Sequence, residues 1–181
     1  MIYQHLKDRH IDIKLHRPVI DFETEIVTFY LYNLSGQIVG YQQYNHRGEK
    51  NNKKSGTNNK LTGKYFTYTR KDTVSVFGIE SLKLTDGPVF ITEGLFDAAR
   101  LTERGQSAIA MLANNPPRDY GNFLAFLNRP IVAVCDNDAA GRKLAKYGDY
   151  IETAPDSKDL SDASDEYVNY LIQKYSTPVS N

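Results

Sequence analysis

The sequence predicts an α/β fold: a mostly parallel sheet flanked by helices on both faces, preceded by a small basic β-rich region. Three observations carry this. In the second half, short apolar runs alternate with helical stretches at the spacing of β–α–β units. One run, 131–135 (Ile-Val-Ala-Val-Cys), is apolar throughout, as a strand buried on both faces must be. In the first half, two runs rich in β-branched and aromatic residues flank Leu34-Ser35-Gly36, and eight Lys/Arg crowd into positions 46–71.

Residues 1–17 predict a short helix with Ile2, Leu6 and Arg9 on one face, ended by Pro18. Residues 25–33 and 37–45 predict a hairpin. Segment 46–63 holds almost nothing to bury and reads as a loop. Residues 64–69 alternate like a strand, and 74–79 form another extended piece. Asp86-Gly87 punctuates the chain, which divides it into a β-rich region 1–85 and an α/β domain 86–181. In that domain 88–92 predicts a strand, Glu93-Gly94 a tight turn, and 96–104 a helix stopped by Gly105. Strand 107–112, loop 114–117 and helix 119–128 follow, the helix with Phe123, Leu124 and Leu127 on its apolar face. Then come strand 131–135, helix 139–147, strand 150–154 and loop 155–162. A last helix, 164–175, turns Tyr167, Val168, Leu171 and Ile172 inward. There is no internal repeat.

The chain's 181 residues suffice for one full core. No apolar run reaches membrane-spanning length, and the N-terminus lacks the pattern of a signal peptide. A single cysteine, Cys135, excludes an internal disulfide and a Cys/His zinc cluster. These features give a cytoplasmic expectation. Net charge is zero but unevenly spread: +7 over 46–71, and −5 from Asp86 onward. A basic segment before an acidic half fits a polyanion-handling enzyme with a metal site, or a solvated basic loop and nothing more.

The chemistry lies in the acids. Asp136 and Asp138 stand at or just past the end of strand 131–135, where open α/β sheets place their ligands. Two carboxylates about 4 Å apart repel by roughly 4 kcal/mol at an effective dielectric near 20. A cation between them relieves that, and hard oxygen donors suit Mg²⁺. Asp138 is equally a reasonable helix N-cap. Glu93 and the pair Asp159 and Asp162, with Asp156 nearby, also follow predicted strands. In a parallel sheet such strand ends share one edge, so these distant acids converge. Asp97 is either a dipole-stabilising acid of the first helical turn or a hydrogen-bonding support of the site. Lys158 is either a charge-balancing residue or a phosphate contact.

The stretch Phe90-Ile91-Thr92-Glu93-Gly94-Leu95-Phe96-Asp97-Ala98, followed by Val134-Cys135-Asp136-Asn137-Asp138-Ala139-Ala140-Gly141, resembles the TOPRIM domain. Within that family the chain is most similar to the catalytic core of bacterial and phage DnaG-type DNA primases. Lys158-Asp159-Leu160-Ser161-Asp162 resembles their third acidic motif, with one residue more between the acids. Gly36-Gln37-Ile38-Val39-Gly40-Tyr41 resembles the entry of their basic subdomain. Lys64-Tyr65, Lys71 and Phe77-Gly78-Ile79 resemble the lysines and closing motif that lead into TOPRIM. Phe66-Thr67-Tyr68-Thr69 replaces the usual Asn-Ser-Pro. The resemblance implies that Glu93, Asp136 and Asp138 are catalytic, and that these three with Asp159 and Asp162 hold Mg²⁺, for which Mn²⁺ substitutes. Glu93 either ligates metal or assists proton transfer. Gly94, Asp97 and Lys158 would support the site. Arg47, Lys64, Arg70 and Lys71 would line a groove for nucleic acid, with Tyr65, Phe66 and Tyr68 either stacking on bases or packing within the sheet.

The implied activity is Mg²⁺-dependent RNA primer synthesis on single-stranded DNA from ribonucleoside triphosphates, in a bacterial or phage-infected cell. The alternatives are a TOPRIM nuclease cleaving DNA or RNA, and a non-catalytic primase-like binding protein. Zinc-binding and helicase modules accompany the core in full-length primases and are not in this sequence. A helicase or a separate template-recognition protein is therefore an expected partner, and a membrane is not.

Overall fold

A computed structural model of the chain describes residues 1–49, 63–112, 119–137, 141–154 and 159–176. The N-terminal helix α1 (Ile2–Asp8) and the single-turn α2 (Ile13–His16) lead into an antiparallel sheet. Its strands β1 (Val19–Asp21), β2 (Ile26–Tyr32), β3 (Ile38–Asn45) and β4 (Tyr65–Thr69) lie in sequence order. The 25–33/37–45 hairpin forms as the sequence predicts. The additional strand β1 is three residues long and directly follows Pro18, too short for a periodic signal.

The second sheet is all parallel, in the order β6-β5-β7-β8. It consists of β5 (Val89–Thr92), β6 (Ala108–Ala110), β7 (Ile131–Cys135) and β8 (Tyr150–Thr153). Helices α3 (Leu95–Thr102), α4 (Tyr120–Phe126), α5 (Gly141–Leu144) and α6 (Asp165–Ser176) cover it. Period-two alternation sends alternate residues of the central strands to opposite faces. Phe90, Val132 and Val134 enter one core with α3, α6 and α1. Val89, Ile91, Ile131, Ala133 and Cys135 enter the other with α4 and α5. This is the α/β arrangement, covered on both faces, that the sequence predicts.

The first core also contains Val27, Phe29, Leu31 and Tyr44 from the antiparallel sheet. The two sheets thus share buried surface, and α3 is packed between them with every residue buried. Isolated bridges Tyr32↔Val76 and Phe77↔Ala110 stitch β2 to β6 through residues 76–77; the extended piece predicted over 74–79 stops there, because Gly78 turns the chain at φ 87° into a 3-10 helix, Ile79–Lys83. No helix among the described residues is long and apolar enough to cross a membrane.

Candidate active site

A pocket of about 280 Å³ opens at the C-terminal edge of the parallel sheet. Glu93 follows β5, Asp136 follows β7, Asp97 lies in the first turn of α3, and Asp159 precedes the 3-10 turn Leu160–Asp162; all four line the pocket. Arg9, Gln42 and Tyr65 form part of the facing wall. Segments more than sixty residues apart therefore meet at one edge, because parallel strands all end there.

Asp97 organises the floor. Its carboxylate is buried, and its Oδ1 accepts the backbone N–H of Ser161 at 2.8 Å. That bond ties the acidic 159–162 turn to α3 and fixes where Asp159 stands. Asp97 thus lies in the first turn of α3, as the dipole reading requires, and also makes the hydrogen bond that the supporting reading requires. Burial pushes its carboxyl up to about 7; the charges of Asp136 and Asp159 push the same way, while the Ser161 and Gly94 amides oppose. Gly94 has ordinary extended backbone angles, φ −101° and ψ 150°. Its smallness is needed for space instead, since a Cβ there would sit 2.5 Å from Asp97 Oδ2. Gly141 plays a similar part, because a Cβ on it would run into the Asp136 carbonyl oxygen.

Neighbouring groups register the gathered charge. Burial raises the Cys135 thiol to about 11, and the Glu93 and Asp136 carboxylates add to this. Burial raises the Tyr65 phenol to about 12, with smaller contributions from Tyr44, Asp159 and Asp97. Among the described residues, the lining contains no sulfur or imidazole donor. Its donor set of carboxylate oxygens fits a hard divalent cation. Among the described residues no three His, Cys, Asp or Glu side chains form a complete ion cage. Asp138, which would pair with Asp136, lies outside the described residues, as does Lys158.

Arg9, which the sequence marks only as a helix-face residue, brings a cation to the site. It follows α1 and stacks over Phe96 at 4.4 Å from the ring centre. Its Nη1 donates to Asp162 Oδ1 at 3.2 Å and its Nη2 to Ser161 Oγ at 3.3 Å. Asp162 is therefore engaged by Arg9; its side chain is 57% exposed and stands outside the pocket lining. The only signal for Arg9 in the sequence is its helical spacing from Ile2 and Leu6.

No family model matches the sequence, and no curated protein matches it. Solved structures do. The Aquifex aeolicus primase zinc-binding and RNA polymerase domains superpose with a TM-score of 0.66 at 18% identity, over 95% of this chain and 54% of that one. The DnaG primase catalytic domain bound to single-stranded DNA gives 0.59 at 16%, over 92% and 61%. The primase fragment of the bacteriophage T7 primase-helicase protein gives 0.59 at 16%, over 91% and 69%. The chain has a primase-like TOPRIM fold. It spans a little over half the length of the Aquifex structure.

Within this primase-like fold the predicted groove residues do not converge on the pocket. Arg47 is exposed and paired with Glu25. Lys64 joins the sheet through its backbone, donating to Glu49 O and accepting from Asn45 N. Arg70 and Lys71 are exposed just beyond β4. The three aromatics of β4 separate by alternation. Tyr65 faces the acids, whereas Phe66 and Tyr68 project from the opposite face of the antiparallel sheet beside Tyr41.

Proposed function

We propose that the chain is a primase-like nucleotidyltransferase that joins ribonucleotides on a single-stranded DNA template in a divalent-cation-dependent reaction. One observation carries this reading: Glu93, Asp97, Asp136 and Asp159, from separate segments, line one pocket at the C-terminal edge of a parallel sheet. The primase-like fold supports it, as does the likeness to a DnaG primase catalytic domain bound to single-stranded DNA.

Glu93, Asp136 and Asp159, with Asp138, would hold Mg²⁺, and Mn²⁺ would substitute. The bound cation supplies charge neutralisation for a nucleotide's phosphates during in-line displacement. The remaining work falls to side chains of the pocket. Asp97 positions Asp159 through the Ser161 amide. The Arg9 guanidinium, stacked on Phe96 and leaning on Asp162, presents a fixed positive charge to a triphosphate entering beside the acids. Tyr65 offers an aromatic surface, and Gln42 offers an amide carbonyl, its Nε2 already donating to Thr67 Oγ1 at 2.7 Å. A helicase or separate template-recognition protein would deliver the template.

The test is incubation with single-stranded DNA, ribonucleoside triphosphates and Mg²⁺ or Mn²⁺, with and without a replicative helicase. The expected result is short RNA from the wild type and none from Asp136→Ala. Equal product from both, or cleavage of the DNA without nucleotide incorporation, would overturn the reading.

A further inference from the structure

The face of the antiparallel sheet turned away from the acidic pocket is aromatic where a solvated sheet face is ordinarily polar. Tyr30 pairs with Tyr41 across β2 and β3, and Tyr41 pairs with Tyr68 across β3 and β4. Directly opposed residues of antiparallel strands share a face. The three tyrosines therefore form one row across three strands. The rings of Tyr41 and Tyr68 are stacked, 5.6 Å apart and 28° from parallel. Phe66, one row along, lies 6.2 Å from Tyr41. Tyr68 is 55% exposed, and Tyr30, Tyr41 and Phe66 are half-buried.

Positive charge borders this row. The Arg70 N–H donates to Val39 O at 2.9 Å, which continues the β3–β4 register one residue past Thr69. Alternation then puts exposed Arg70 on the same side as Tyr68. Among the described residues, Asp21 stands on this face in β1 at the far edge of the sheet, and exposed Asp72 follows Lys71 in the turn beyond β4. Flat aromatic rings at cross-strand spacing beside an exposed guanidinium complement unpaired bases joined by a phosphate backbone.

We propose that this outer face, formed by Tyr30, Tyr41, Phe66 and Tyr68 with Arg70, is a stacking platform for single-stranded nucleic acid, separate from the acidic pocket. Base-on-aromatic stacking tolerates any sequence, so the platform holds a strand without reading it. It keeps template or product on the protein while the pocket on the other side of the sheet is engaged or empty.

The test needs neither nucleotides nor metal, so its outcome is separable from that of the polymerisation assay. Binding of a fluorescent 20-nucleotide dT strand to the full chain is measured by anisotropy in EDTA, against a duplex of equal length. The expected result is preference for the single strand. Tyr68→Ala or Phe66→Ala weakens binding about ten-fold, Tyr68→Phe restores it, and Arg70→Ala lowers both affinity and its salt slope. Ultraviolet crosslinking of the unaltered protein, mapped by mass spectrometry, serves if an alanine variant does not fold, with adducts expected on Tyr41, Phe66 or Tyr68. Folded Tyr68→Ala and Phe66→Ala variants binding as wild type would overturn the proposal. So would adducts only on other segments, or loss of self-association in place of loss of DNA binding.

Discussion

A carboxyl group shut off from water among other carboxylates holds its proton tightly, and Asp97 is such a group. Its pKa of about 7 in the folded chain stands against an ordinary 3.8. Between those values the folded state binds more proton than the unfolded state, so stability falls as pH rises from about 4 to about 7 and stays lower above that. The cost reaches at most about 4 kcal/mol at 1.36 kcal/mol per unit. Asp97→Asn keeps an acceptor for the Ser161 amide and removes the charge. In EDTA, urea denaturation at pH 5 and pH 8 should show wild type weaker at pH 8, and the Asn variant level between them and more stable than wild type at pH 8. A wild type that gains stability over this interval would contradict the assignment. Gly94→Ala acts on the same carboxylate by crowding. It is expected to lower stability by about 1–3 kcal/mol and to remove primer synthesis, measured by thermal melting and nucleotide incorporation.

At the scale of elements, α1 is more than an N-terminal cap on the core. Ile2 and Leu6 bury, and Arg9 beyond its end holds the 160–162 turn. Arg9→Ala should cost only about 1 kcal/mol in global stability, as expected for one partly exposed cation–π contact and one exposed ion pair. It should nevertheless speed hydrogen exchange at the amides of Ser161 and Asp162; unchanged exchange there would show that the turn stands without it. The strands 89–92 and 131–135 are legible in the sequence because buried parallel strands are apolar without interruption. The acids Glu93, Asp136 and Asp159 are legible because each follows a predicted strand. Arg9 is not, since its partners lie more than 80 residues away in sequence. The faces of Tyr65 and Tyr68 are hidden for a different reason: alternation puts the two on opposite sides of β4, but does not say which side meets the acids. Motif alone groups Asp162 with the ligands, and its pairing with Arg9 depends on a chain reversal no local pattern encodes.

At the scale of the molecule, one core joins the two sheets. Phe29 and Phe77 meet edge to face at 5.7 Å, and Phe77 belongs to the stitch between β2 and β6. Phe77→Ala should destabilise by about 3–5 kcal/mol. Far-ultraviolet circular dichroism and tyrosine fluorescence should then still lose signal together, because neither sheet retains a complete core alone; two separated transitions would show that the sheets fold independently. That shared core is what holds the wall of Tyr65 and Gln42 opposite the acidic edge. The claim on which the functional reading stands is that acids from distant segments make one divalent-cation site. Titration of the full chain with Mn²⁺, followed by electron paramagnetic resonance, tests it directly. The account predicts saturable binding that weakens at least about ten-fold in both Glu93→Gln and Asp136→Asn, since loss even of a ligand's supporting partner costs that much. Equal Mn²⁺ affinity and stoichiometry in wild type and both variants would contradict it.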